Sequence, residues 1–274
     1  MIGKYGSSTS SEKRLFNDIF DGNGHCLTNL QFSIPVGGYY YSGLFSGLSA
    51  TGVIKDLILE HIIYNNPDNT DRASLLVGLN RGEVTHCTLR NCTIEDIDEF
   101  SGFGGISYQN EGTIINCHID NLKLNSKLQH GNAITRNNQK GKIMNCAVTN
   151  CNFNQLTTRS GLLCNKSNNG EIQNCYLKGN TGNNCHAVCL ETTNSLIRCC
   201  YYPESDTKAP IGNLSASNPS DSIMKYGSLQ SITENHLPTI LNQWVHDSGA
   251  RLYPDFSFLT WEKGETLPAI LVSP

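Results

Sequence analysis

One short pattern recurs along this chain every 24 to 30 residues, and it constrains the fold more than any other feature. It runs glycine, any residue, an aliphatic, any residue, Asn or a similar polar residue, Cys or Leu, any residue, an aliphatic. The clearest copies are 52–59 (GVIKDLIL), 82–89 (GEVTHCTL), 112–119 (GTIINCHI), 141–148 (GKIMNCAV) and 170–177 (GEIQNCYL). Weaker copies occupy 25–32 (HCLTNLQF) and 194–201 (NSLIRCCY). With the Cys/Leu position as anchor, the series reads Leu30, Leu57, Cys87, Cys117, Cys146, Cys175 and Cys199. A second apolar block precedes each anchor by 11 to 13 residues, as in Leu75-Leu76, Gly105-Ile106 and Leu162-Leu163. Each repeat therefore supplies at least two short strands separated by turns, and no sustained helical period intervenes.

The phase of the pattern selects an architecture. Ile54, Val84, Ile114, Ile143 and Ile172 stand three residues before their anchors, and both columns are apolar. In a flat strand, residues an odd number apart face opposite sides, so pointing both columns inward demands a bend between them. The residue just before the anchor is Asn29, Asp56, His86, Asn116, Asn145 or Asn174. These are the side chains that tolerate the left-handed backbone of a sharp corner. An all-β chain is expected, folded as a right-handed parallel β-helix of about seven coils. Identical residues should stack in ladders, Asn116–Asn145–Asn174 in one and Asn91–Asn121–Asn150 in another.

The GNGH turn at 22–25, the Gly-Leu blocks and the G-x-I-x-N-C-x-(V/L) blocks resemble the GLUG-motif repeat family over residues ~16–202. That resemblance implies a bacterial surface or secreted protein of adhesin-like character, as in gut Bacteroidetes, with the signal or anchor segment outside this chain. It carries no catalytic residue set. The last copy, which lacks its glycine, departs from the pattern.

From 203 to 274 the composition changes. A Pro- and Ser-rich stretch is followed by an amphipathic segment with Leu237, Ile240, Leu241, Trp244 and Val245 on one stripe. Two strand-like runs, 258–261 and 267–272, then suggest a hairpin. A solenoid needs its open end covered, so this tail reads as a small α+β cap on a domain spanning 1–202, with Trp261 a packing residue. Ile115 and Met144, outward on adjacent coils before the corner, call for a covering element.

Twelve cysteines would ordinarily suggest zinc or disulfides. The anchor column puts most of them inside, a full coil apart with parallel side chains, where Cys acts as a small buried hydrophobe. The Cys185/His186/Cys189/Cys199/Cys200 cluster matches no zinc spacing. No metal or cofactor is expected.

The functional candidates lie on the outward positions after the corner. Thr88 and Arg90, His118 and Asp120, Ala147 and Thr149, Tyr176 and Lys178 should face solvent. Glu60, Arg90 and Asp120 then form a charged column, while His118 and Tyr176 offer hydrogen bonds and a stacking surface. Arg90, His118, Asp120, Tyr176 and Lys178 are the expected ligand-binding residues, for a glycan or a host or surface protein. A formal charge of −4 argues against nucleic acid, and no apolar run suits membrane insertion. A non-catalytic module is expected, with a polysaccharide lyase or hydrolase, or a structural spacer, as alternatives. An enzyme would need paired carboxylates or a Ca²⁺ cluster. Glu60 and Asp120 should lie about 9.6 Å apart, two strand spacings, but with Arg90 between them holding both ionised. The run Glu95, Asp96, Asp98, Glu99 lacks the spacing of a Ca²⁺ loop.

Overall fold

A computed structural model describes residues 2, 15–32, 41–66, 72–97, 102–202, 211–214, 236–265 and 270–272. The chain winds as a parallel β-solenoid with a short helix near its C-terminus. The coils contribute short strands to five main sheets. The first sheet stacks seven strands from Ile19–Asp21 to Leu196–Arg198, and the second stacks six from Cys26–Thr28 to Tyr176–Lys178. The third begins with Gln31–Phe32 and the fourth with Tyr41–Ser42, each holding four. The fifth runs from Phe45–Leu48 to Ile211–Leu214 with seven. About five turns of the solenoid are complete, against the expected seven, and partial coils at the ends bring two of the sheets to seven strands.

The corner predicted from phase is present in every coil. Asp56, His86, Asn116, Asn145 and Asn174 all adopt left-handed backbone, with φ between 52° and 55°. A second left-handed corner, which phase alone did not demand, follows at His61, Asn91, Asn121 and Asn150. The glycine of the repeat answers to stacking. A Cβ on Gly82 would stand 2.0 Å from the carbonyl oxygen of Gly52, and one on Gly112 2.2 Å from that of Gly82. Successive turns could not then approach to strand spacing.

The register of the two end copies differs from the sequence alignment. Thr28 pairs with Glu60, which places Asn29 beside His61 at the second corner and Leu30 beside Ile62. The first corner of the opening coil is instead built by Asn23 and Gly24, at φ 48° and 71°, with extra residues that shift the frame. At the other end Cys199 itself takes the left-handed corner at φ 52°, and Tyr201 bridges Tyr176. The anchor there is Cys200, which is buried.

Inside, the anchors join Ile54, Val84, Ile114, Ile143 and Ile172 in one continuous core. Ten of the twelve cysteines are buried and none forms a disulfide. Burial pushes the Cys92 thiol up to about 11 and the Cys151 thiol up to about 12, which keeps them protonated and inert. Amide ladders run up the column. Asn145 Nδ2 donates to Asn116 Oδ1 at 2.7 Å, and Asn174 Nδ2 to Asn145 Oδ1 at 2.8 Å. Asn121 donates to Asn91 at 2.7 Å, but Asn150 turns away to Asp120. A fully buried ladder on the fifth sheet, Asn80 to Asn110 to Asn138, has bonds of 2.8 and 2.9 Å and was not foreseen.

The described residues of the tail pack beside the coils. Its helix, Leu237–Trp244, and its hairpin, Thr260–Glu262 with Ile270–Val272, lie along the flank. Leu237, Leu241, Trp244, Val245 and Trp261 form a second core there with Ile115, Met144, Ala147, Tyr176 and Tyr201. The outward apolar residues thus have the cover their exposure demanded. Trp261 is 1% exposed and meets Tyr176 edge-on at 6.3 Å, a packing role.

Two outcomes are expected. Ile115→Glu places a carboxylate under the tail and lowers the unfolding free energy by about 3 kcal/mol; an unchanged urea midpoint would show that the tail does not lie there. Ellman's reagent titrates exposed Cys26 at once and half-buried Cys199 slowly in the native protein, and all twelve thiols only in guanidinium.

Candidate functional site

The same flank that carries the tail carries an open groove over its first three coils and the near side of the fourth. Its volume is about 570 Å³, and the solenoid lines it mainly with Asp21, Lys55, Asp56, His86, Thr88 and His118. At its far end stand Asn116 and two residues of the hairpin, Leu259 and Leu271. The groove follows directly from the repeat. Its floor is the first-corner column and the first outward column of the second sheet, in which Ile58, Thr88, His118, Ala147 and Tyr176 stand in register. From Ala147 onward the tail covers that column, whereas Ile58, Thr88 and His118 line the groove.

The polar groups in the groove are tied to one another. Lys55 Nζ lies 2.8 Å from an Asp21 carboxylate oxygen and 3.7 Å from one of Asp56. The Lys55 ammonium holds the Asp21 carboxyl below its ordinary range, so it is ionised at neutral pH. His86 Nδ1 is 3.2 Å from Asp56 Oδ1. Because the carboxylate accepts, Nδ1 carries the hydrogen, and His86 Nε2 is left buried without a hydrogen-bond partner. His118 Nε2 is 2.8 Å from Thr149 Oγ1, whose single hydrogen goes to Asp120 Oδ1 at 2.7 Å. His118 must therefore donate from Nε2. Burial lowers its pKa, with Asp120 opposing, and it stands neutral.

Of the five residues expected to bind a ligand, His118 lines the groove, and Asp120 joins it through Thr149. Arg90 occupies the second outward column and turns to Glu60, its Nε 2.8 Å from Oε1. Its hydrogen bond lowers the Glu60 pKa, the wrong direction for a general acid. Asp120 is held by Thr149 and Asn150, so the column expected to share Arg90 is split. Lys178, half-buried, stands two coils beyond Asp120 in the same column. Tyr176 is a correction: expected in solvent, it is wholly buried beneath Trp261, with Ala147 and Thr149 also covered.

Sequence reasoning missed Asp21, Lys55, Asp56 and His86 as groove residues. Asp56 and His86 were placed as corner residues, and their departure from Asn was the available signal. A second recess at the other corner is lined by Asn29, Leu30, Gln31, His61, Ile63, Asn91 and Thr93. Among the described residues no group of three or more His, Cys, Asp or Glu side chains is arranged to hold a metal, and no helix is long and apolar enough to cross a membrane. Asp98 and Glu99 of the acidic run lie outside the described residues. No family model, curated protein or solved structure matches this chain.

The buried imidazoles set an acid limb of stability. Burial lowers the His118 pKa and takes that of His130 down to about 4, from an ordinary 6.5. The unfolded chain then binds protons that the folded one does not. Stability is therefore expected to be full above pH 6.5, to decline as pH falls toward 4, and to decline less steeply in His118→Gln. Melting temperatures across that range measure it; a flat profile in the parent protein would contradict the burial of both rings.

Proposed function

We propose that this protein is a non-catalytic repeat module of the GLUG type, displayed at a cell surface or secreted. In this reading it presents the flank of a rigid β-solenoid to a glycan or a protein. The observation that supports the reading is the groove over the first three coils. A stacked sheet and a left-handed corner fix its floor, and its walls carry carboxylate, ammonium, imidazole and hydroxyl groups. Such a surface needs little ordering on binding, which is the advantage of a preformed site.

Catalysis draws less support from the same geometry. Asp21, paired with Lys55 in the groove, and Glu60, paired with Arg90 beside it, are both shifted toward the ionised form. A glycosidase acid needs the opposite shift.

The reading is tested by probing a glycan array and a panel of immobilised extracellular proteins, with mass spectrometry of any released product in the presence of Ca²⁺. Retention without cleavage is expected, weakened at least tenfold by His118→Ala. Cleavage of a retained polysaccharide, or no retention on either surface, would overturn it.

A further inference from the structure

The column of corner residues that floors the groove already binds a polypeptide, its own tail. On the fourth coil Asn116 Nδ2 donates to Ser257 O at 2.7 Å, and Asn116 Oδ1 accepts from Leu259 N at 3.0 Å. On the fifth, Asn145 Nδ2 donates to Leu259 O at 2.9 Å, and Asn145 Oδ1 accepts from Trp261 Nε1 at 2.7 Å. On the sixth, Asn174 Nδ2 donates to Leu241 O at 3.2 Å. Residues 257, 259 and 261 face the column, so the strip reads alternate residues of an extended segment, as a sheet edge does.

That strip does not end where the tail leaves it. Below Asn116 the column continues as His86, Asp56 and Asn23, and the groove opens at Asn116, Leu259 and Leu271. About three strand spacings, roughly 14 Å, are covered by none of the described residues, the length of about four extended residues. On this stretch no described backbone hydrogen bond from the tail reaches the column, and His86 Nε2 on the third coil is buried without a partner, whereas Asn116 Oδ1 on the next coil accepts a peptide N–H. Asp21 and Asp56 set two carboxylates against the one ammonium of Lys55, leaving an excess of negative charge. Among the described residues, no Phe, Tyr or Trp ring lines the groove for a sugar to stack on.

We infer that the open half of the corner column is a docking site for an extended segment of a partner protein carrying a basic side chain, laid along the axis as residues 257–261 are laid on the closed half. The inference deepens the proposed function, resting on the groove as its site and naming its ligand as polypeptide. The partner's backbone would lie against the column between His86 and Asn23, with its basic group toward Asp21 and Asp56.

The test pans a displayed library of random linear heptapeptides on the full-length protein and measures the enriched peptides, synthesised with a fluorophore, by anisotropy. Two variants block the site without disturbing the corner. Asp56→Asn installs the commonest residue of that column, and Thr88→Tyr fills the groove from a position where Tyr176 stands three coils on. Ile63→Ala, in the recess at the other corner, serves as control. The expected result is enrichment of peptides bearing Lys or Arg whose binding weakens at least tenfold in both variants, falls with added salt and is unchanged in Ile63→Ala. No enrichment, or peptides that bind Thr88→Tyr as well as the parent, would overturn the inference. A glycan retained by the parent and lost in Thr88→Tyr, with no peptide enriched, would overturn the peptide assignment while leaving the groove and the proposed function standing. Retention of neither a peptide nor a glycan by the parent would remove both the inference and the proposed function.

Discussion

Everything in this molecule depends on backbone stacking in register at the spacing of a β-sheet. Each coil has to repeat the path of the one below within a few tenths of an ångström, or the parallel ladders fail. Two devices enforce that repetition. Left-handed residues turn the chain at fixed points, and glycines such as Gly82 and Gly112 let the turns approach to where any Cβ would collide with a carbonyl. Once the path repeats, identical positions become columns, and each column acquires a collective property. The anchor column becomes a core of thiols and leucine, the corner column a strip of amides.

The corner column shows how one structural rule serves two ends. A left-handed position selects Asn for backbone reasons, and a stack of Asn side chains is also a line of alternating donors and acceptors. On the fourth to sixth coils, that line holds the tail by hydrogen bonds to its backbone. Apolar outward residues beside it, Ile115, Met144 and Tyr176, supply the burial that keeps the tail there. On the first three coils the column changes to Asp56 and His86, the neighbouring column reads Ile58 and Thr88 with His118 following on the fourth, and these residues line an open groove. Sequence variation within a fixed frame thus divides the flank into a covered and an uncovered half.

The parallel solenoid, its first corner and the burial of its cysteines were legible because they follow from period and phase. So was the need for a cover over Ile115 and Met144. The end coils were misaligned by a residue or more, since Asn23 and Gly24 build a longer corner and Cys199 stands where Asn is usual. Pattern matching has no means of counting such local insertions. Tyr176 was misplaced for a different reason: its column does face outward, and only the tertiary docking of a segment 60 to 85 residues further along removes it from solvent. The groove residues were hidden because each already had a structural explanation as a corner.

A tail on the flank has a mechanical meaning that a tail on the end would lack. Solenoids transmit strain only between neighbouring turns, so a plain rod frays from its last coil one turn at a time. Here Asn116, Asn145 and Asn174, on three successive turns, are bonded to one strap, and Tyr201 of the last turn packs into the same cluster. Load entering through the C-terminal region meets the hairpin and helix first and must slide them along the axis, breaking several bonds together, before any coil can peel. The covered half of the rod behaves as a single laminated block, and the first three coils are left as its compliant end.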